Sequence, residues 1–225
     1  MKKIILLLIL YFIGINLLFG KGYEKVVTID PGHGTKYSRE GAYGEAELAM
    51  RLSIYIKEYL EKSGIKVILT HKKYDRTEIL GENYEEDNIA RAEISNEADS
   101  DLYFRIHFDS PEGKAAVYYP KEHKDEYVKR ESLKAANLVF EALKVITEKN
   151  RAKISNKVLT DNDTYVGNQL GGLLAGSKAS KEPTILIESA GLNEEMLKWF
   201  NNEDNLHYFA LKISEAIKKY LGKID

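Results

Sequence analysis

The sequence predicts a single α/β domain, a central, mostly parallel sheet flanked by helices. Three observations carry this. Apolar runs of strand length alternate with segments of helical period, the pattern of strands joined by helices. The runs KVVTID, IKVILT and TILIE have the length and β-branched content of strands and are bounded by Gly or Pro. The chain of 225 residues is 44% hydrophobic, enough for one substantial core, and its 16 Gly and 4 Pro leave no room for a long linker. No segment repeats another at a fixed period, which excludes solenoids and arrays.

In chain order, Lys25 to Asp30 is the first strand, ended by Pro31-Gly32. Glu45 to Ser63 follows as a helix with Leu48, Leu52, Tyr55, Tyr59 and Leu60 on one face. Gly64 stops that helix, and Ile65 to Thr70 makes the second strand. Asn88 to Asp99 reads as a short helix, Leu102 to His107 (LYFRIH) as the third strand and Ala115 to Tyr119 (AAVYY) as the fourth. A long charged helix runs from about Glu126 to Lys149, with an apolar face of Leu133, Ala136, Phe140, Leu143 and Ile146. Arg151 to Glu182, rich in Asn, Asp, Gly and Ser, reads as irregular. Thr184 to Glu188 (TILIE) is a buried strand by composition, and Leu206, Phe209, Ile213, Ile217, Tyr220 and Leu221 mark a closing amphipathic helix.

The N-terminal segment stands apart from that domain. Lys2 and Lys3 precede a stretch from Ile4 to Phe19 that only Gly14 and Asn16 interrupt, which reads as an export signal. Gly20-Lys21-Gly22 suits cleavage before Tyr23, and the stretch falls short of the ~20 residues of a spanning helix. Cleavage is therefore expected over retention as a membrane anchor, dividing the chain into a signal, 1–22, and an exported domain, 23–225. Thirty-three Lys and Arg against 35 Asp and Glu give no basic excess, so no nucleic acid is expected as a partner. The absence of cysteine excludes disulfides, a thiolate metal site, a Cys nucleophile and a lipidated Cys. Any bound metal must be held by His, Asp and Glu.

Three such residues sit where strands end. His33 lies in Asp30-Pro31-Gly32-His33-Gly34, His107 closes the third strand and Glu188 closes TILIE. In open α/β sheets ligands bind beyond the carboxyl ends of the strands, where residues distant in sequence converge. Glu45, at the start of the first long helix, can lean into the same crevice. Two imidazoles and two carboxylates on one rim make a mononuclear zinc site, with one carboxylate as ligand and the other free to take a proton from water.

These residues and their surroundings resemble the catalytic domain of the zinc-dependent N-acetylmuramoyl-L-alanine amidases, bacterial cell-wall hydrolases that cut stem peptides from glycan strands. VVTIDPGHG resembles the family's opening strand and zinc histidine, and Glu45-Ala46-Glu47-Leu48 its acidic ligand at a helix start. GIKVILT, from Gly64 to Thr70, resembles the following helix-to-strand passage. Arg91 with Ile94, Ser95 and Asn96 fits the helix before the next strand. Asp101 to His107 resembles the strand of the second histidine, and PTILIESAG, from Pro183 to Gly191, the strand of the catalytic glutamate. The six segments occur in the family's order.

The resemblance implies one zinc ion on His33, Glu45 and His107, with Glu188 as catalytic base. It also implies peptidoglycan as substrate, cleaved at the amide between N-acetylmuramic acid and L-alanine, and an exported enzyme of the periplasm or cell wall. The expectation is a monomer. In some members a helix covers the zinc until an activator protein removes it, and Arg151 to Glu182 lies where such loops or helices occur. Only 37 residues follow Glu188, so no wall-binding module is expected. Several positions depart from the usual pattern: Thr35 after the GHG, His71 after Leu69-Thr70, Arg105, Phe108 and Asp109 around His107, and Ser189-Ala190-Gly191 after Glu188. They bear on substrate fit. Two alternatives remain at this level, a catalytically silent peptidoglycan-binding protein and a zinc hydrolase of another envelope amide.

Plainer readings apply to the neighbouring residues. Glu47 rivals Glu45, since either suits the first turn of a helix. His71, His123 and His207 are expected as surface or hydrogen-bonded residues, His123 solvated within the charged run KEHKDE. Asp30 is expected to support the histidine loop, and Arg91 to pair with a carboxylate across its helix. The 15 tyrosines read as packing residues, a few of them available to line a sugar-binding groove.

Overall fold

The computed structural model describes residues 25–223 apart from 40, 42 and 43. The expected signal, 1–22, lies outside the described residues. Strand β1 (Val26–Pro31) leads to α1 (Glu45–Glu61), β2 (Lys66–Leu69), α2 (Tyr84–Glu97), β3 (Leu102–Asp109), β4 (Ala116–Tyr119) and α3 (Glu126–Asn150). Then come β5 (Leu159–Thr160), a 3-10 turn (Asp161–Asp163), α4 (Tyr165–Gln169), α5 (Ala175–Ala179), β6 (Thr184–Gly191), α6 (Glu194–Phe200) and α7 (Glu203–Tyr220). The six strands form one sheet in the order β2-β1-β3-β6-β4-β5. All neighbours are parallel except β4 and β6, so the sheet is mostly parallel, as expected.

Successive side chains of a strand point to opposite faces, and the two faces here differ in chemistry. Val27, Ile29, Phe104, Ile106, Ile185 and Ile187 are buried in one hydrophobic cluster with Leu52, Ile56, Leu143, Phe209 and Ile213 of α1, α3 and α7. Each such side chain contributes about 1.5–3 kcal/mol, so this face anchors the sheet. The alternate positions, Thr28 and Asp30 of β1 and Tyr103, Arg105 and His107 of β3, carry polar side chains to the other face, beside α2 and α5. One side of the sheet supplies stability and the other is free for chemistry.

Helix boundaries follow their caps. Gly64, at φ 72°, takes the left-handed conformation that ends α1. Helix α2 starts four residues before the expected Asn88, because the Asn83 side chain accepts from the Glu86 N–H and Glu85, Glu86 and Asp87 complement the dipole. Asp125 caps α3. That helix buries Val128, Ala135, Val139 and Leu143, whereas Leu133, expected on the apolar face, is 37% exposed. Helix α6, which the sequence reading omits, is capped by Asn193 and buries Met196 and Phe200. Arg151 to Glu182 is less irregular than expected, holding β5, α4 and α5, and α5 packs against α2.

Candidate metal centre

His33 follows β1 at φ 60°, a left-handed conformation uncommon outside glycine. Arg91 of α2 holds that loop with all three of its nitrogens. Nη1 donates to Asp30 Oδ1 at 2.8 Å and Pro31 O at 3.0 Å, Nη2 to His33 O at 2.8 Å and Thr35 Oγ1 at 2.6 Å, and Nε to Asp87 Oδ2 at 2.8 Å. The expected pairing across the helix is thus extended to the histidine loop. Asp30 also accepts from the hydroxyls of Thr70 at 2.6 Å and Tyr103 at 3.0 Å. Burial pushes the Asp30 carboxyl up, but Arg91, His71 and the Thr70 hydrogen bond outweigh it and hold it at about 2.

His107 stands near the end of β3, and Gly32 makes room for its ring. A Cβ at Gly32 would lie 2.7 Å from His107 Nδ1 and Cε1. Glu45 opens α1 on the apolar side of the sheet and reaches over the strand ends, where its Oε1 accepts from the Phe108 N–H at 3.1 Å. Oε1 lies 2.9 Å from His33 Nε2 and 3.1 Å from His107 Nδ1, with the two rings edge to face at 4.9 Å. One donor atom from each residue falls within 4.8 Å of the others, a group able to hold a metal ion.

The hydrogen bonding of His33 tests the fit. Its Nδ1 lies 2.7 Å from the Arg39 carbonyl oxygen, so that nitrogen carries the proton and donates. The Nε2 lone pair of a neutral ring then faces a carboxylate oxygen, a repulsive arrangement that a cation between them relieves. Two imidazoles and a carboxylate form a donor set suited to zinc. Burial raises the Glu45 carboxyl, yet the adjacent imidazoles, His107 first and then His33, outweigh it and hold it far below its ordinary range. Burial shifts the His107 imidazole down.

Glu188 is the register partner of His107 across β3 and β6. Its Oε2 is buried and has no hydrogen-bond partner among the described residues. Burial, then the charges of Glu45 and Asp109, push its carboxyl well above the usual range, with Arg105 opposing them. The four residues open on a cleft of about 260 Å³, also lined by Arg105, Tyr84, Thr164 and Tyr165.

Of the sequence expectations, His33, Glu45, His107 and Glu188 are brought together, while the rival Glu47 is exposed. His71 is buried, with Nε2 facing Pro31 O and Nδ1 facing Lys73 O, each at 2.8 Å. His207 stacks on Tyr55. His123 corrects its expectation: it is 3% exposed, with Nε2 3.2 Å from Ser180 O and Nδ1 accepting from the Asp125 N–H. None of these three belongs to the metal-binding group. The sequence reading missed Asp161 and Ser177, which are buried behind the cleft, because nothing distinguishes them there from other polar loop residues.

A mostly parallel α/β sheet with two histidines and a helix-start carboxylate gathered beyond its strands defines the class, a hydrolase domain with a group able to hold a metal ion. The profile of the N-acetylmuramoyl-L-alanine amidases matches residues 27–219, and the chain belongs to that family, in which zinc dependence is a shared trait. Its reaction is hydrolysis of the amide between N-acetylmuramic acid and L-alanine in peptidoglycan, and it acts on the cell wall as an exported protein.

Solved structures agree in fold. The catalytic domain of CwlV, an N-acetylmuramoyl-L-alanine amidase from Bacillus (Paenibacillus) polymyxa var. colistinus, superimposes with a TM-score of 0.66 at 18% identity, over 89% of this chain and 99% of that one. Apo Ami1 from Mycobacterium abscessus gives 0.70 at 19% identity, over 88% and 98%. The CwlD amidase from Clostridioides difficile, solved in complex with the GerS lipoprotein, gives 0.65 at 23% identity, over 88% and 98%. No curated protein matches the chain.

Proposed function

We propose that His33, Glu45 and His107 hold one zinc ion and that Glu188 is the proton carrier of the reaction. The observation that carries this is the convergence of three donor atoms within 4.8 Å beside a half-buried carboxylate whose Oε2 is enclosed without a partner among the described residues. When bound, zinc supplies Lewis-acid polarisation of the scissile carbonyl and acidifies a water. Glu45 and the two imidazoles hold the site, and the Arg39 carbonyl keeps the His33 proton on Nδ1. Glu188 accepts the proton of the attacking water and returns it to the leaving L-alanine nitrogen, without which the tetrahedral intermediate reverts. No Ser or Cys nucleophile is required.

In this proposal residues 1–22 are an export signal, cleaved or kept as an anchor, and 23–225 are the catalytic domain, acting as a monomer in the periplasm or cell wall. The lipoprotein complex of the Clostridioides difficile relative supports an activator partner for this chain too. Digestion of purified peptidoglycan tests the reading. Mass spectrometry should find intact glycan with free stem peptides, together with one zinc per chain by metal analysis. Cleavage within the stem peptide, or released acetate, would contradict it.

A further inference from the structure

Arg105 is the buried charged side chain of the cleft that this reaction leaves without a role. It is 3% exposed and lines the cleft two residues before His107, on the same face of β3. Arg91, equally buried, is paired with both Asp30 and Asp87. Arg105 makes no ion pair among the described residues. Its Nη1 donates to Ser177 Oγ at 3.0 Å, whereas Nε is enclosed without a partner and Nη2 has none among the described residues. No carboxylate touches the guanidinium among the described residues: the buried Asp161 hydrogen-bonds with Ser177 and accepts at Oδ2 from the Leu174 N–H at 3.1 Å, and it acts on Arg105, as Asp30 and Glu188 do, only across a distance. A guanidinium kept this dry with one side unsatisfied is costly, and an anionic ligand group offsets that cost.

We infer that Arg105 is a specificity-determining residue that receives a free carboxylate of the stem peptide, on the residue that follows L-alanine. The inference rests on the amidase reading. On the glycan side the lactyl carboxyl of muramic acid is consumed in the scissile amide, so the anion comes from the peptide. Two strand residues separate Arg105 from His107 by about 7 Å, and an extended peptide advances about 3.5 Å per residue. A group anchored at Arg105 therefore belongs to a residue one or two places from the reacting bond. Nη2, which has no partner among the described residues, offers its N–H groups to such a carboxylate.

The test compares two soluble substrates, N-acetylmuramoyl-L-alanyl-γ-D-glutamyl-L-lysine with its glutamyl α-carboxylate free and the same molecule with that carboxylate amidated. The protein should prefer the free carboxylate by about 10- to 100-fold in kcat/KM, mainly through KM. Arg105→Gln should lose this preference with zinc content unchanged, and Arg105→Lys should keep part of it. Equal rates on both substrates for the unmutated protein, or an equal fall on both for Arg105→Gln, would overturn the inference. Calorimetry with the tripeptide L-alanyl-γ-D-glutamyl-L-lysine, free or amidated, reads the same contact without turnover. If neither muramyl substrate is cut, the amidase reading fails, while the difference in peptide binding still decides the role of Arg105.

Discussion

His107 and Glu188 lie side by side as register partners on adjacent parallel strands, the imidazole belonging to the group able to hold a metal ion and the carboxylate, its Oε2 buried, to the wall of the cleft. The pairing follows from β3 and β6 being neighbours at the centre of the sheet, and it fixes two functional side chains on rigid backbone. Glu45 completes the arrangement from a helix start, where small shifts of the backbone are easier.

Metal should bind and stabilise. Removal of zinc by a chelator should abolish turnover, and re-addition should restore it. Added zinc should raise the thermal midpoint, because ligand at about 100 times its Kd stabilises by about 2.7 kcal/mol. His33→Ala and His107→Ala should lose both zinc and this response. A metal-replete double variant would refute the site.

Gly32→Ala should damage the centre without unfolding the protein. The new methyl would sit 2.7 Å from the His107 ring and from the Ile106 carbonyl oxygen, forcing the imidazole out of place. A fall in zinc affinity of about 10-fold or more is expected, of the size seen when ligand orientation is disturbed. Zinc titration with far-ultraviolet circular dichroism on the same samples checks it, and undiminished affinity would show that the ring has other room.

Arg91 should matter to stability as well as to zinc. Arg91→Ala leaves Asp30 and Asp87 buried without their partner, at a cost of about 3–5 kcal/mol. It also frees the loop of His33, whose carbonyl Arg91 holds. Arg91→Lys restores charge but not the fork of donors and should recover only part of the loss. Urea unfolding and zinc titration of both variants measure the two effects.

The Asp30 carboxyl predicts an acid-dependent step. It is held down from 3.8 to about 2 because Arg91, His71 and Thr70 outweigh its burial. A depressed carboxyl contributes stability that is fully present above its unfolded pKa and is lost as pH falls through the folded one. The window is therefore about pH 4 to pH 2. Between pH 6 and pH 3 the stability gap between the unmutated protein and Asp30→Asn should narrow by about 1 kcal/mol in urea titrations. A constant gap would place the acid response elsewhere.

The site was more legible in the sequence than its surroundings, for physical reasons. His33 follows β1, and His107 and Glu188 lie two and three residues before the ends of β3 and β6, both of which run on past the expected boundary; the ends of such strands are marked by β-branched runs and by Gly and Pro. The acidic start of α2 hid its first turn, since Tyr84-Glu85-Glu86-Asp87 has no apolar period and its signal lies in the Asn83 cap. Helices α4 and α5 have five residues each, too few to show a period. His123 was misread because its charged neighbours are solvated while its own ring turns inward to Ser180. The role inferred for Arg105 was invisible, since burial without a partner is a property of the fold and not of the residue's neighbours in sequence.

The central claim is that Glu188 moves the proton at a metal centre it does not itself build. Glu188→Gln tests it most directly, with N-terminal alanine released from purified peptidoglycan and zinc content measured on the same preparation. The expected result is a loss of about 10²-fold or more in turnover with the metal retained. Full activity in that variant would contradict the role assigned to Glu188.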